Sequence, residues 1–138
     1  MKDDRGSVTI WMLALSALLL LFGGLAVDFW RALALQRELA AVADSAAVAS
    51  ASGIDEAHYR LTGEILLERD RVRALADSSI GSQGLDLDTV DVQLSTDRLA
   101  VTVTVAGGLE LGLLGVFVDQ TEPLLVRAGA TASPRYVP

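Results

Sequence analysis

"RGSVTIWMLALSALLLLFGGLAVDFWRALALQRELAAVADSAAVASAS" fills residues 5–52 and contains no proline. It opens as an apolar run and closes as an alanine-rich run spotted with polar residues. From Val8 to Val27 no side chain is charged. About 20 apolar residues at about 1.5 Å per residue cover the roughly 30 Å hydrocarbon core of a bilayer. Trp11 and Trp30 stand near the two ends, about 28 Å apart on a helix, as interfacial belts require. A secretory signal has a shorter apolar core with a small-residue cleavage site close behind it. Here Asp28, Phe29, Trp30 and Arg31 follow the run, and the A-x-A-like "AVADSA" around Asp44 comes too late. The run therefore reads as a retained transmembrane helix.

Nothing between Asp28 and Ser52 stops that helix. Ala, Leu, Gln, Arg and Glu dominate, and all are strong helix formers. The first stop is "SASG", so one helix is expected from about Ser7 to Ser52. Its outer half carries little side-chain bulk. Ala40, Ala43, Ala47 and Ala51 permit close approach, which predicts packing against another helix. A solvent-exposed stalk is the plainer alternative, but Val42 and Val48 add apolar surface that a bare stalk does not need.

The remainder reads as a small α+β head. Asp55 and Glu56 suit a helix N-terminus. Leu61, Ile65, Val72 and Ala76 recur on one face, which predicts a second helix ending near "SSIGSQG". Val90 and Val92 alternate with polar residues, "STDR" makes a turn, and Leu99, Val101 and Val103 alternate again. That pattern predicts a β-hairpin with one buried face, broken at Gly107–Gly108. Val126 lies in a third strand of the same period. Val90, Val92, Leu99, Val101, Val103 and Val126 are the expected head core. The apolar Leu109–Val118 segment is too short to span a membrane. It folds back over the sheet or presents a surface patch.

The resulting layout is a cytoplasmic leader over 1–7, a transmembrane helix over 8–27, an Ala-rich extension of the same helix over 28–52, and an extracytoplasmic α+β head over 53–138. The fold class is α+β, with an antiparallel three-stranded sheet.

Composition narrows the function. The net charge is −7, and beyond the apolar run nine arginines face sixteen acids. An acidic exterior argues against nucleic acid, which needs a cationic surface. The chain has no cysteine and one histidine, His58. That argues against disulfides, thiolate metal sites and a Ser-His-Asp arrangement. Ser16, Asp28, Asp44 and His58 form no spacing with a known mechanism. Asp86, Asp88 and Asp91 lack the glycine and terminal glutamate of an EF-hand loop. No catalytic residue, metal or cofactor is expected.

The stretch "DRGSVTIWMLALSALLLLFGGLAVDFWRALALQRELAAVADSAAVASA" resembles the N-terminal region of TadE/TadG-like proteins of the Tad (Flp) pilus assembly system. The small TadE-like variants of actinobacteria are the most similar. The resemblance rests on Arg5–Gly6–Ser7, the span, Val27–Asp28 at its outer end, and Ala43–Asp44–Ser45–Ala46–Ala47. It implies a minor pilin or pseudopilin, with the long helix as spine. The implied partners are the lipid bilayer, other pilin or pseudopilin subunits, the membrane assembly platform and a prepilin peptidase cutting between Gly6 and Ser7. One position departs from the pattern. Prepilins carry glutamate at the fifth residue after the cut, and here that residue is Trp11. A membrane-anchored supporting member fits the residues as well as a filament subunit does. The other reading is a single-pass anchored partner-binding domain of another secretion or envelope system.

Overall fold

The computed structural model describes residues 5–112, 115 and 123–135. The first element, α1, runs unbroken over Arg5–Ser50. Two shorter helices follow, α2 over Glu56–Thr62 and α3 over Arg69–Gly81. The strands are β1 (Thr89–Leu94), β2 (Val101–Leu109) and β3 (Leu124–Ala132). They form one antiparallel sheet in the order β1-β2-β3. The fold is α+β, as the patterning of the sequence implies.

The outer half of α1 lies on one face of this sheet. Leu39, Val42, Ala43, Ala46 and Ala47 are at most 1 % exposed, and they meet Val101, Val103 and Val105, which are fully buried. Leu67 and Val72 close the same cluster. The alanines bring the helix backbone close to the strands, and the β-branched valines fill the space between. Val92 and Val126 pack partly buried against this core. Val90 and Leu99, expected in the core, stay 40 % and 46 % exposed. Val90 has the inward phase but starts an edge strand that α1 does not cover. Leu99 lies in the hairpin turn, since β2 begins only at Val101.

The second helix of the sequence reading is two helices. Asp55 caps α2, accepting a hydrogen bond from the His58 amide at 3.0 Å. Gly63 ends it with φ 75°, a left-handed conformation that glycine adopts without a Cβ clash. Helix α2 buries nothing, and Leu61 is 87 % exposed. The chain then runs extended, Leu67 inserts into the core and bridges to Ile54, and α3 restarts with Val72 and Ala76 inward. A single helix would carry Leu67 on its own period. The break frees Leu67 to plug the core.

Gly107–Gly108 does not break the hairpin. Strand β2 continues through both glycines to Leu109, which pairs with Leu124. A Cβ on Gly107 would lie 3.4 Å from Leu39 Cδ2, an ordinary contact, so α1 sits directly over this part of the strand.

The hairpin turn is tied to the segment between α2 and α3. Arg98 has φ 59°, a left-handed conformation unusual for a side chain with a Cβ. From there its Nε donates to the Leu67 carbonyl at 2.8 Å, and its Nη2 meets Asp55 Oδ2 at 3.1 Å. The backbone joins in, with Leu67 N donating to Arg98 O at 2.9 Å. The His58 amide and then the Arg98 guanidinium hold the Asp55 carboxyl below its ordinary value of 3.8. Within the turn, the Ser95 hydroxyl and the Leu99 amide lower Asp97 in the same way.

Two outcomes follow for the head. Val101→Asp places an unpaired charge in the core, which costs several kcal/mol, roughly the reserve of a small domain. Thr102 lies on the opposite face, where its hydroxyl meets that of Thr131 at 2.8 Å. Limited proteolysis should show Val101→Asp cleaved readily in the head, while Thr102→Asp resists like the parent. For Asp55, a folded-state pKa below the unfolded one stabilises fully above the unfolded value. That stability is lost as pH falls through the lower, folded value. The melting temperature of Asp55→Asn should therefore lie below that of the parent at pH 6, and the gap should close as the pH drops below 3.8. A gap that is constant with pH would assign the effect to the cap geometry alone.

Candidate functional site: the long helix and its junction with the head

Helix α1 has two environments along one continuous backbone. In its first half the large apolar side chains are bare. Ile10 is 70 % exposed, Leu20 75 % and Phe22 57 %. Leaving such side chains in water costs roughly 1.5–3 kcal/mol each, so this surface requires an apolar partner phase. The helix is long and apolar enough to cross a membrane, and 6 % of its most apolar window is buried. Trp11 and Trp30 are 74 % and 67 % exposed at either end of this stretch. Ser16 returns its hydroxyl to the Met12 carbonyl at 2.9 Å, so the polar group within the run is satisfied inside the helix. Gly6 and Ser7 lie in the first turn of α1.

The second half is enclosed by the same chain. Ala43, Ala47 and Ala51 face the core and are at most 8 % exposed, and the close approach they permit is to the sheet and α3. Ala40 lies on the exposed side of α1. The sequence signal for these positions is small size, which does not say whether a helix or a sheet will take the space.

Between the halves sits Asp28, only 4 % exposed although its neighbours Val27, Phe29 and Trp30 are open. Its Oδ1 accepts the Gly112 amide at 3.0 Å, across 84 residues of sequence. A Cβ on Gly112 would lie 2.8 Å from that oxygen and 3.1 Å from Arg31 Nη1, so a side chain here would displace these two side-chain ends. The chain leaving β2 is thereby tied to the point where the apolar half of α1 ends. Composition marks Asp28 only as the first charge after the run, and no local pattern identifies Gly112 as its partner. Of the Leu109–Val118 segment, residues 113, 114 and 116–118 lie outside the described residues, as do residues 1–4 of the leader.

The polar residues weighed for chemistry are dispersed. Asp44 lies in a groove of about 830 Å³ between the end of α1 and the end of β3, lined also by Val48, Ile54, Thr131 and Arg135. His58 is half-buried, with Nε2 at 3.6 Å from Glu64 Oε2. Asp91 accepts from Gln93 at 2.7 Å. Among the described residues, no group of three or more His, Cys, Asp or Glu side chains is placed to hold a metal ion.

Residues 6–53 match a protein-family model described as "Putative Flp pilus-assembly TadE/G-like", which supports a TadE-like protein. The match covers α1 and the turn that follows it, and leaves α2, α3 and the sheet outside. No curated protein and no solved structure matches the chain.

The Asp28 tie is open to direct measurement. Hydrogen exchange of the full chain in detergent should show the Gly112 amide protected. Asp28→Ala should raise its exchange at least tenfold, because the acceptor is gone. Unchanged exchange would mean that Asp28 does not hold this amide.

Proposed function

We propose that the chain is a membrane-anchored, TadE-like component of a Tad (Flp) type pilus or secretion apparatus. In this role it is a minor pilin or pseudopilin that crosses the membrane once and assembles through its long helix. One observation carries the reading. The family-matched residues coincide with a helix whose first half is apolar and bare while its second half is locked into a folded head. A helix so divided belongs in two phases, lipid for the first half and water around the head. Neighbouring subunits and the assembly platform would meet the bare stretch, and further out the exposed side that carries Ala40 and Val48. No catalytic role is part of this proposal.

Orientation follows from what must cross. The few residues before Val8 are simpler to retain in the cytoplasm than the acidic head. Lys2 and Arg5 favour that side, though Arg31 and Arg37 beyond the span weaken the bias. A peptidase cut between Gly6 and Ser7 would leave Ser7 as the new N-terminus, with Trp11 in the place where prepilins carry glutamate. That absence of an acid between Ser7 and Val27 favours a second reading, an anchored partner-binding domain of another secretion or envelope system.

A reporter active only outside the cytoplasm, fused after Pro138, should be active, and one active only inside should be silent. The reverse pattern would overturn the topology. Release of the fusion by a carbonate wash would overturn the anchor itself.

A further inference from the structure

We propose that the free edge of β3 takes the free edge of β1 of a second copy, parallel, so that the sheet continues from one head into the next. Among the described residues, the strand order β1-β2-β3 leaves one edge of β1 and one edge of β3 without a strand partner. Unpaired edges offer a row of backbone donors and acceptors to another strand. The two edges differ in charge. Between Pro123 and Pro134 the charged residue is Arg127, with no acid. Strand β1 carries Asp91, with Asp86 and Asp88 just before it and no base. A β3 edge therefore attracts a β1 edge, whereas β1 against β1 or β3 against β3 brings like charges together. Among the described residues no ion pair engages Arg127.

The phases of the two strands agree. On β1, Val92 and Leu94 pack toward the core, while Asp91 and Gln93 are exposed. On β3, Val126, Ala128 and Ala130 pack inward, while Arg127 and Gly129 are exposed. Setting Arg127 beside Asp91 of the second copy, with the strands parallel, aligns Val126 with Val90, Ala128 with Val92 and Ala130 with Leu94. Apolar residues then continue the inner face, and the opposite charges meet on the outer one. Pro123 and Pro134 bracket β3 and limit the pairing to the segment between them.

Direction selects the same arrangement. Both β1 and β3 are antiparallel to β2, so they run the same way. Joining two identical edges antiparallel needs a twofold axis perpendicular to the sheet. Because α1 lies on the sheet's face, that axis would reverse α1 and point the two apolar halves apart. Two chains anchored in one membrane cannot do this. The step rests on the membrane-anchored reading above. Parallel β3-to-β1 pairing keeps both helices pointing the same way.

The chain has no cysteine, so introduced thiols report cleanly. Thr89 and Leu125 are both exposed and become neighbours in the proposed register. Full-length Thr89→Cys and Leu125→Cys chains are mixed in liposomes and oxidised. The mixed disulfide should exceed both same-residue disulfides at least threefold. Adding Arg127→Glu to the Leu125→Cys chain should lower it severalfold, and adding Asp91→Arg to its partner should restore it. Dominance of either same-residue disulfide would overturn the pairing. So would a mixed disulfide indifferent to both charge reversals. A parallel set with Leu18→Cys reports contact between the spans. Span crosslinks without head disulfides would overturn the edge contact and leave assembly through the helix standing. Failure of the chain to float with the liposomes would overturn the anchor, and with it the constraint on direction.

Discussion

The close seating of the outer half of α1 on β2 and β3 is the contact on which the other features depend. A three-stranded sheet with one apolar face is marginal until something covers that face. Here the cover is the continuation of the apolar helix, through Leu39, Val42, Ala43, Ala46 and Ala47. The stretch of chain that would otherwise be a stalk is the floor of the core. Alanine supplies both halves of the solution, since it favours the helix and brings the backbone near the valines of β2. The head therefore cannot be cut away from α1 without uncovering this core. Any tilt of the apolar half is also transmitted to the head, because the backbone between them is helical throughout.

With α1 fixed, the second constraint is closure of the far end. Leu67 must reach the core from a segment that is neither helix nor strand, and the unpaired backbone around it needs partners. Asp55, Gly53 and Arg98 supply them, through Asp55 N to Leu66 O, Glu68 N to Gly53 O, and Leu67 N to Arg98 O. The left-handed Arg98 is the point at which the turn, α2 and the core plug meet. A glycine there would relieve the backbone but lose the guanidinium that joins Asp55 to Leu67. The side chain, rather than the conformation, explains the residue.

Much of this is visible in the sequence, and what is not has definite physical causes. The absence of proline and the run of helix formers make α1 legible, and two-residue alternation makes the strands legible. The match over residues 6–53 lies on the same stretch. Gly63 and Gly107 look alike as letters. One stops a helix through a positive φ, while the other lies inside a strand, paired with Val126. Helical spacing across residues 61–76 misleads, because Leu61 is bare while Leu67, which is off that period, joins Val72 and Ala76 in being buried. Val90 shows the limit of alternation. Phase places a side chain on a face, but burial depends on whether a helix reaches that part of the face. The Asp28–Gly112 contact spans 84 residues and leaves no periodic trace at all.

Sheet twist sets how far edge-to-edge growth can go while the helices stay in a bilayer. Neighbouring strands rotate by roughly 20–25°, so three strands per head turn successive copies by about 60–75°. Helix α1 lies on the sheet and turns with it. Two copies can share this turn, each span tilting by about 30–37°, near the upper end of the roughly 0–40° range observed for membrane helices. A third copy would need a tilt that no span accommodates. In a membrane the proposed pairing would therefore stop at two chains, each pair still offering one acidic β1 edge and one basic β3 edge. Outside the bilayer the spans are no longer held to a common plane, and the same heterologous contact can repeat without closing. A contact of this kind would be bounded for chains held in lipid and unbounded outside it, and the bound would come from the rigid helix rather than from the strands.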